Sequence, residues 1–191
     1  MRKVVLFMTL AAVAADLSAC GSASRSGISM PRNVPVPEDA ENPIVMTFEG
    51  ATLEQLVGVI AQALSSQGIP TYQVVPEDGI VETQWLDMAI WDPTRQAANL
   101  PVNERTVLLY YGAGAWVDPE TDEELENALV AWAYYQPNPE LARVRPRTYR
   151  EEVPTTHYGY SFLLRVQSVI NAMLSQEGID FEMVEPSSLG G

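Results

Sequence analysis

Catalysis in this chain would have to run on one imidazole, one thiol and a large surplus of carboxylates. Its 191 residues hold 1 His, 1 Cys and 25 Asp and Glu against 11 Lys and Arg. A zinc centre of the usual four-ligand Cys/His kind cannot be built from that supply within one chain, and a single Cys excludes an intramolecular disulfide. His157, in Thr155-Thr156-His157-Tyr158, has no second imidazole and no thiol in the domain to work with. It is therefore expected at a helix start or on the surface, dispensable for function, rather than in catalysis. No Gly-x-Ser-x-Gly, Walker loop or Gly-x-Gly-x-x-Gly occurs, and Gly112-Ala113-Gly114 has too few glycines for a phosphate cradle. Carboxylates gather at Glu82, Asp87 and Asp92 and again from Glu120 to Glu126. Such runs form solvated faces, and a glycosidase-type pair is defined by a separation that spacing alone does not supply. Asp118, Glu120, Asp122 and Glu124 alternate as calcium ligands do, without the glycine on which a calcium loop turns. The expectation is a chain that is not an enzyme, with no catalytic, metal-binding or cofactor-binding residue.

The one reactive side chain with a telling context is Cys20. Arg2 and Lys3 form a basic start, Val4 to Ala15 is an apolar run broken only by Thr9, and Ser18 and Ala19 are small, the pattern of a secretion signal. Twelve helical residues span about 18 Å, short of a hydrocarbon core of about 30 Å. Leu17-Ser18-Ala19-Cys20 resembles the lipobox of bacterial lipoproteins, in which the Cys sulfur is acylated and the chain is cut just before it; Asp16 departs from an ideal signal. The resemblance implies a signal peptide over 1–19, a lipid on Cys20 and membrane attachment through its acyl chains. Gly21 differs from the Asp that usually marks inner-membrane retention, which implies the periplasmic face of an outer membrane. Cleavage would remove two of the 11 basic residues and one of the 25 acidic ones, leaving 9 against 24. A surface that acidic is repelled by nucleic-acid phosphates and by anionic lipid as bulk partners.

Two further groups of side chains suit recognition. Trp91 and Trp116 fall in segments without periodicity and are expected as exposed anchors. Arg143, Arg145, Arg147 and Arg150 concentrate four cations in eight residues. The first three alternate across Val144 and Pro146, so an edge strand would turn them to one side as a stripe for an acidic envelope protein or an anionic glycolipid headgroup. Pairing with the chain's own carboxylates is the alternative.

The elements that position these residues begin after a Gly/Ser and Pro tether over 20–42. A single globular domain is expected over 43–186, followed by a tail at 187–191. Pro43 to Glu49 alternates as a strand. Thr52 and Gln55 make a capping box for a helix whose stripe is Leu53, Leu56, Val57, Ile60 and Leu64, stopped at Gly68. Thr71 to Val75 and Ile80 to Leu86 flank Pro76-Glu77-Asp78-Gly79 as a hairpin, with Trp85 closing its second strand. The segment from Asp87 to Glu104 is expected as an irregular excursion. Arg105 to Tyr111 reads as a central strand ended by Gly112 and Gly114. Asn127 to Tyr135 carries both a helical spacing and a strand alternation, and the strand is favoured by Trp132 and Tyr134. A second helix runs from Tyr158 to Gln176, stops at Gly178, and feeds a last strand to Val184.

Leu64 to Ile69 and Leu174 to Ile179 match at an offset of 110 residues, which reflects either a duplication or the common use of Gly after helices. The order β-α-β-β-β-β-β-α-β implies an α+β fold with both helices on one face of an antiparallel sheet. That order resembles the helix-grip domains of the lipoprotein of the outer-membrane barrel-assembly machinery; no motif supports it further. The resulting expectation is a lipid-anchored envelope protein with a partner-binding or scaffold domain, or alternatively a carrier of a small apolar ligand held between helices and sheet.

Overall fold

The structure, a computed structural model, describes residues 27–117, 122 and 124–184. Cys20, its lipobox and the 187–191 tail lie outside the described residues, as do Asp118 and Glu120. No helix among the described residues is long and apolar enough to cross a membrane.

The fold is α+β. Strand β1 (Ile44–Glu49) leads into α1 (Leu53–Ser66), then β2 (Thr71–Val75), β3 (Ile80–Thr83) and a two-residue β4 (Leu86–Asp87). Two one-turn helices, α2 (Met88–Trp91) and α3 (Val102–Arg105), precede the long pair β5 (Thr106–Val117) and β6 (Glu124–Tyr135). The chain closes with α4 (Pro139–Val144), β7 (Glu151–Glu152), α5 (Tyr158–Gln176) and β8 (Asp180–Met183). All strand pairs are antiparallel, in the order β2-β3-β5-β6-β1-β8, with β4 against β5 and β7 against β6.

Both long helices cover one face. Leu56, Ile60 and Leu64 of α1 and Phe162, Val166 and Ile170 of α5 share a single buried cluster with Met46, Leu109, Tyr111 and Leu129 of the sheet. Their ends follow from local chemistry. Thr52 accepts from the Gln55 N–H while the Gln55 side chain accepts from the Thr52 N–H, a reciprocal cap. At the other end Ile69 N–H donates to Leu64 O at 2.9 Å and Gly68 N–H to Ser65 O at 3.0 Å. Ile179 and Gly178 repeat the pattern on Leu174 and Ser175. With Gly68 and Gly178 both near φ +72°, these are paired Schellman motifs. The 110-residue echo thus coincides with two helices stopped by the same device, each feeding a strand at an opposite edge of the sheet.

Five expectations require correction. The tether does not run to residue 42, because Ile28 and Met30 already pack against the core. Gln67 Nε2 donates to Ile28 O and Arg165 Nε to Pro31 O, so helix side chains satisfy this segment's backbone. Asn42 then bridges Ala133 and Val153. The excursion is ordered: Met88 and Ala97 are buried, and Asp87 caps α2 while gripping Arg105 through both carboxylate oxygens at 2.9 and 3.1 Å. β5 does not end at Gly112 but continues to Val117, bending at Gly114, whose φ of 133° suits glycine alone. Finally, Arg143 to Arg147 is not an edge strand: Pro139–Val144 is helical, capped by Asn138 Oδ1 on the Glu140 and Leu141 N–H groups. The second hairpin strand stops at Thr83, short of Trp85.

Candidate functional site

The sheet face turned away from α1 and α5 carries the most unusual collection of side chains. Register places them. Val81 pairs with Tyr111 on the helix side, so the alternate residues Glu82 and Tyr110 point outward. Tyr110 pairs with Trp132 and Leu108 with Tyr134; Val45 pairs with Val130 and Thr47 with Ala128. The outward row of β6 is thus Ala128, Val130, Trp132 and Tyr134, the alternation visible in the sequence. At its β1 end Val45, Ala128 and Val130 are buried beneath Trp116, Leu125, Trp132 and Val184, a second and smaller apolar cluster. Tyr110 and Trp132 meet edge to face with centroids 5.5 Å apart. Both rings lean over Gly112, where a β-carbon would lie 3.5 Å from the indole and 3.6 Å from the phenol ring.

Arg150 completes this surface. Its guanidinium stands 4.5 Å from the Tyr134 ring centroid and 5.3 Å from that of Tyr110, forming two cation–π contacts and no ion pair among the described residues. Burial pushes the Tyr134 hydroxyl up to about 12 and that of Tyr110 upward, with Arg150 pulling both back. The phenols stay neutral, and the cation is held by aromatic faces instead of carboxylates. Arg147 lies 4.8 Å over the ring of Tyr72 and hydrogen-bonds its hydroxyl. Tyr72 is half exposed on an edge strand. Gln136 Nε2 donates to the carbonyls of Pro146 and Tyr149, fixing the loop that carries both arginines.

The expected site residues divide accordingly. Arg147, Arg150 and Trp116 come to the outer face. Arg143 and Arg145 are exposed on α4 and its end, without the common side that an extended chain would have imposed. Trp91 is no exposed anchor: it is half-buried on the helix side, 5.5 Å from Phe162, and its carbonyl accepts from Arg165. Tyr72, Tyr110, Trp132 and Tyr134 were not among the expected site residues, and their grouping with the arginines depends on cross-strand register.

His157 holds a structural position. Its Nδ1 accepts from the Gly159 N–H at 2.9 Å as the cap of α5, and its Nε2 donates to Glu104 O at 2.9 Å. Both ring nitrogens are engaged, and burial lowers its pKa. Among the described residues no group of His, Cys, Asp and Glu is arranged to hold a metal ion. No protein-family model matches the chain, and no curated protein is similar to it beyond chance.

Proposed function

We propose that this is a lipid-anchored envelope protein, held at the periplasmic face of an outer membrane by acyl chains on Cys20, whose domain binds a protein partner through the outer face of its sheet. The observation that carries the binding half is the patch of Tyr72, Tyr110, Trp132 and Tyr134 with Arg147 and Arg150. Aromatic residues and arginine are the types enriched where interfaces hold most of their energy. The partner is an acidic segment. Carboxylates can take the donors that Arg147 and Arg150 leave unused while apolar groups cover the rings, and an acidic molecule that gathers cations here has complementary charge nowhere more concentrated.

A carrier would need open space between helices and sheet. There Met46, Leu56, Ile60, Tyr111, Phe162 and Ile170 are buried against one another, which favours the partner-binding reading. The anchor fits this placement, since Gly27 follows Cys20 by seven residues, a reach of roughly 25 Å at full extension. Cys20→Ser should move the protein from the membrane fraction to the soluble one. A photo-crosslinking residue at position 147 should capture a discrete protein in intact cells. The Arg147→Glu, Arg150→Glu double variant, with a crosslinker at position 72, should lose it while keeping a native circular dichroism spectrum. No captured protein, or a glycolipid in its place, would overturn the assignment.

A further inference from the structure

A concavity lies on the helix side of the molecule, away from the aromatic face. Arg32, Ala89, Ile90, Asp92, Pro93, Arg95 and Ala98 line a cavity of about 650 Å³, within the size range of small-molecule sites. Its walls come from the docked N-terminal segment and from the ordered excursion. Arg165 of α5 ties the two together, donating Nε to Pro31 O and Nη1 to Trp91 O, both at 3.0 Å.

The charge inside is unexpected for so acidic a chain. Arg32 and Arg95 form no ion pair among the described residues. The one lining carboxylate, Asp92, is already occupied: its oxygens accept from the Thr94 N–H and hydroxyl and from the Ala97 N–H at 2.7 to 2.9 Å. Its charge is also faced by Arg165. Two arginines that form no ion pair among the described residues therefore line one hollow. Arg95 further adopts φ 59°, a left-handed conformation that glycine or asparagine takes more readily. At the rim Ile90 is 77% exposed, the most exposed large apolar side chain described.

We propose that this cavity binds a small anionic amphiphile, its phosphate held by Arg32 and Arg95 and its hydrocarbon lying on Ile90. Arginine forks match phosphate oxygens in pairs. The alanines, Pro93 and Ile90 supply an apolar wall that a bare inorganic ion would not use. The inference stands on the cavity alone and is independent of the aromatic face.

Hexyl phosphate titrated into the purified full chain, followed calorimetrically, tests it. Saturable one-to-one binding is expected, at least tenfold weaker in Arg32→Gln and in Arg95→Asn, the latter keeping a residue that tolerates the left-handed backbone. Ile90→Ser should weaken hexyl phosphate and leave inorganic phosphate unchanged. Sedimentation with phosphatidylglycerol vesicles, against phosphatidylcholine vesicles, separates the sources, using the unlipidated Cys20→Ser chain. Arginine-dependent capture by the anionic vesicles assigns a lipid headgroup, and binding of hexyl phosphate without capture assigns a free phosphate ester. Absence of saturable binding, or wild-type affinity in both arginine variants, overturns the site.

Discussion

Gly79 offers a direct measure of how the sheet is assembled. It follows the turn between β2 and β3 at φ +70°, and an added β-carbon would lie 2.2 Å from Ala113 O and 3.0 Å from its carbonyl carbon, both backbone atoms of β5. The Ala113 N–H also donates to Gly79 O at 2.9 Å. Gly79→Ala must therefore bear left-handed strain of about 1 to 2 kcal/mol, crowding of about 1 to 3 kcal/mol and weakening of a bond worth about 1 kcal/mol. A total of about 3 to 6 kcal/mol follows, a large share of the roughly 5 to 15 kcal/mol that holds a domain folded. Gly68 has φ +72° and nothing within 4 Å of its added β-carbon, so Gly68→Ala should show the strain alone, about 1 to 2 kcal/mol. Urea unfolding of both variants, followed by far-ultraviolet circular dichroism and tryptophan fluorescence, supplies the two values, compared at an unchanged m-value. Equal losses would refute the reasoning, because the β2-β3 turn would then be free to move away from β5.

His157→Ala should cost about 1 to 2 kcal/mol through the lost cap of α5, with His157→Asn restoring most of it, as thermal unfolding would show. Because burial depresses the His157 pKa below 6.5, the neutral ring's contribution is full above that pH and is lost as pH falls through the folded value; the wild-type stability advantage over His157→Asn should shrink on acidification. Asn42→Ala would leave the buried Ala133 without its side-chain bridge, for about 1 to 3 kcal/mol in urea unfolding, whereas a surface tether would show no change. Leu56→Ala, at a fully buried position of α1, should cost about 2 to 5 kcal/mol, and a smaller loss would mean that the helix face is not packed on the sheet.

Features decided within a few residues were legible in the chain itself. Thr52 and Gln55 start α1, Gly68 and Gly178 stop α1 and α5, and the apolar stripes of both helices name the faces that turn to the core. Backbone capping is a local competition for N–H and C=O groups, and helical period reports burial of one face. The same argument shows why alternation misled at Arg143 to Arg147. Those residues are exposed, so no buried face enforces a period of two, and the Asn138-Pro139 helix start a few residues earlier carries the true signal. At Gly112 and Gly114 composition suggested a strand end, but backbone pairing with β6 continues there and neighbouring rings use the room beside Gly112.

The candidate sites belong to the other kind of information. Lone His and Cys counts already argued against zinc chemistry, and the cluster of arginines was plain in the chain. Which aromatic rings hold Arg150, and that Trp91 faces Phe162 instead of solvent, depends on partners 16 to 71 residues away. The pairing of Arg32 with Arg95 in one hollow likewise needs the N-terminal segment and the excursion brought together by Arg165. Local order arises from the backbone's own hydrogen bonds, so the sequence by itself determined the two long helices, their ends and the α+β class. The neighbours of a side chain across a sheet are set by strand order and register, which minimise exposed apolar area over the whole domain, and that only the tertiary structure decided.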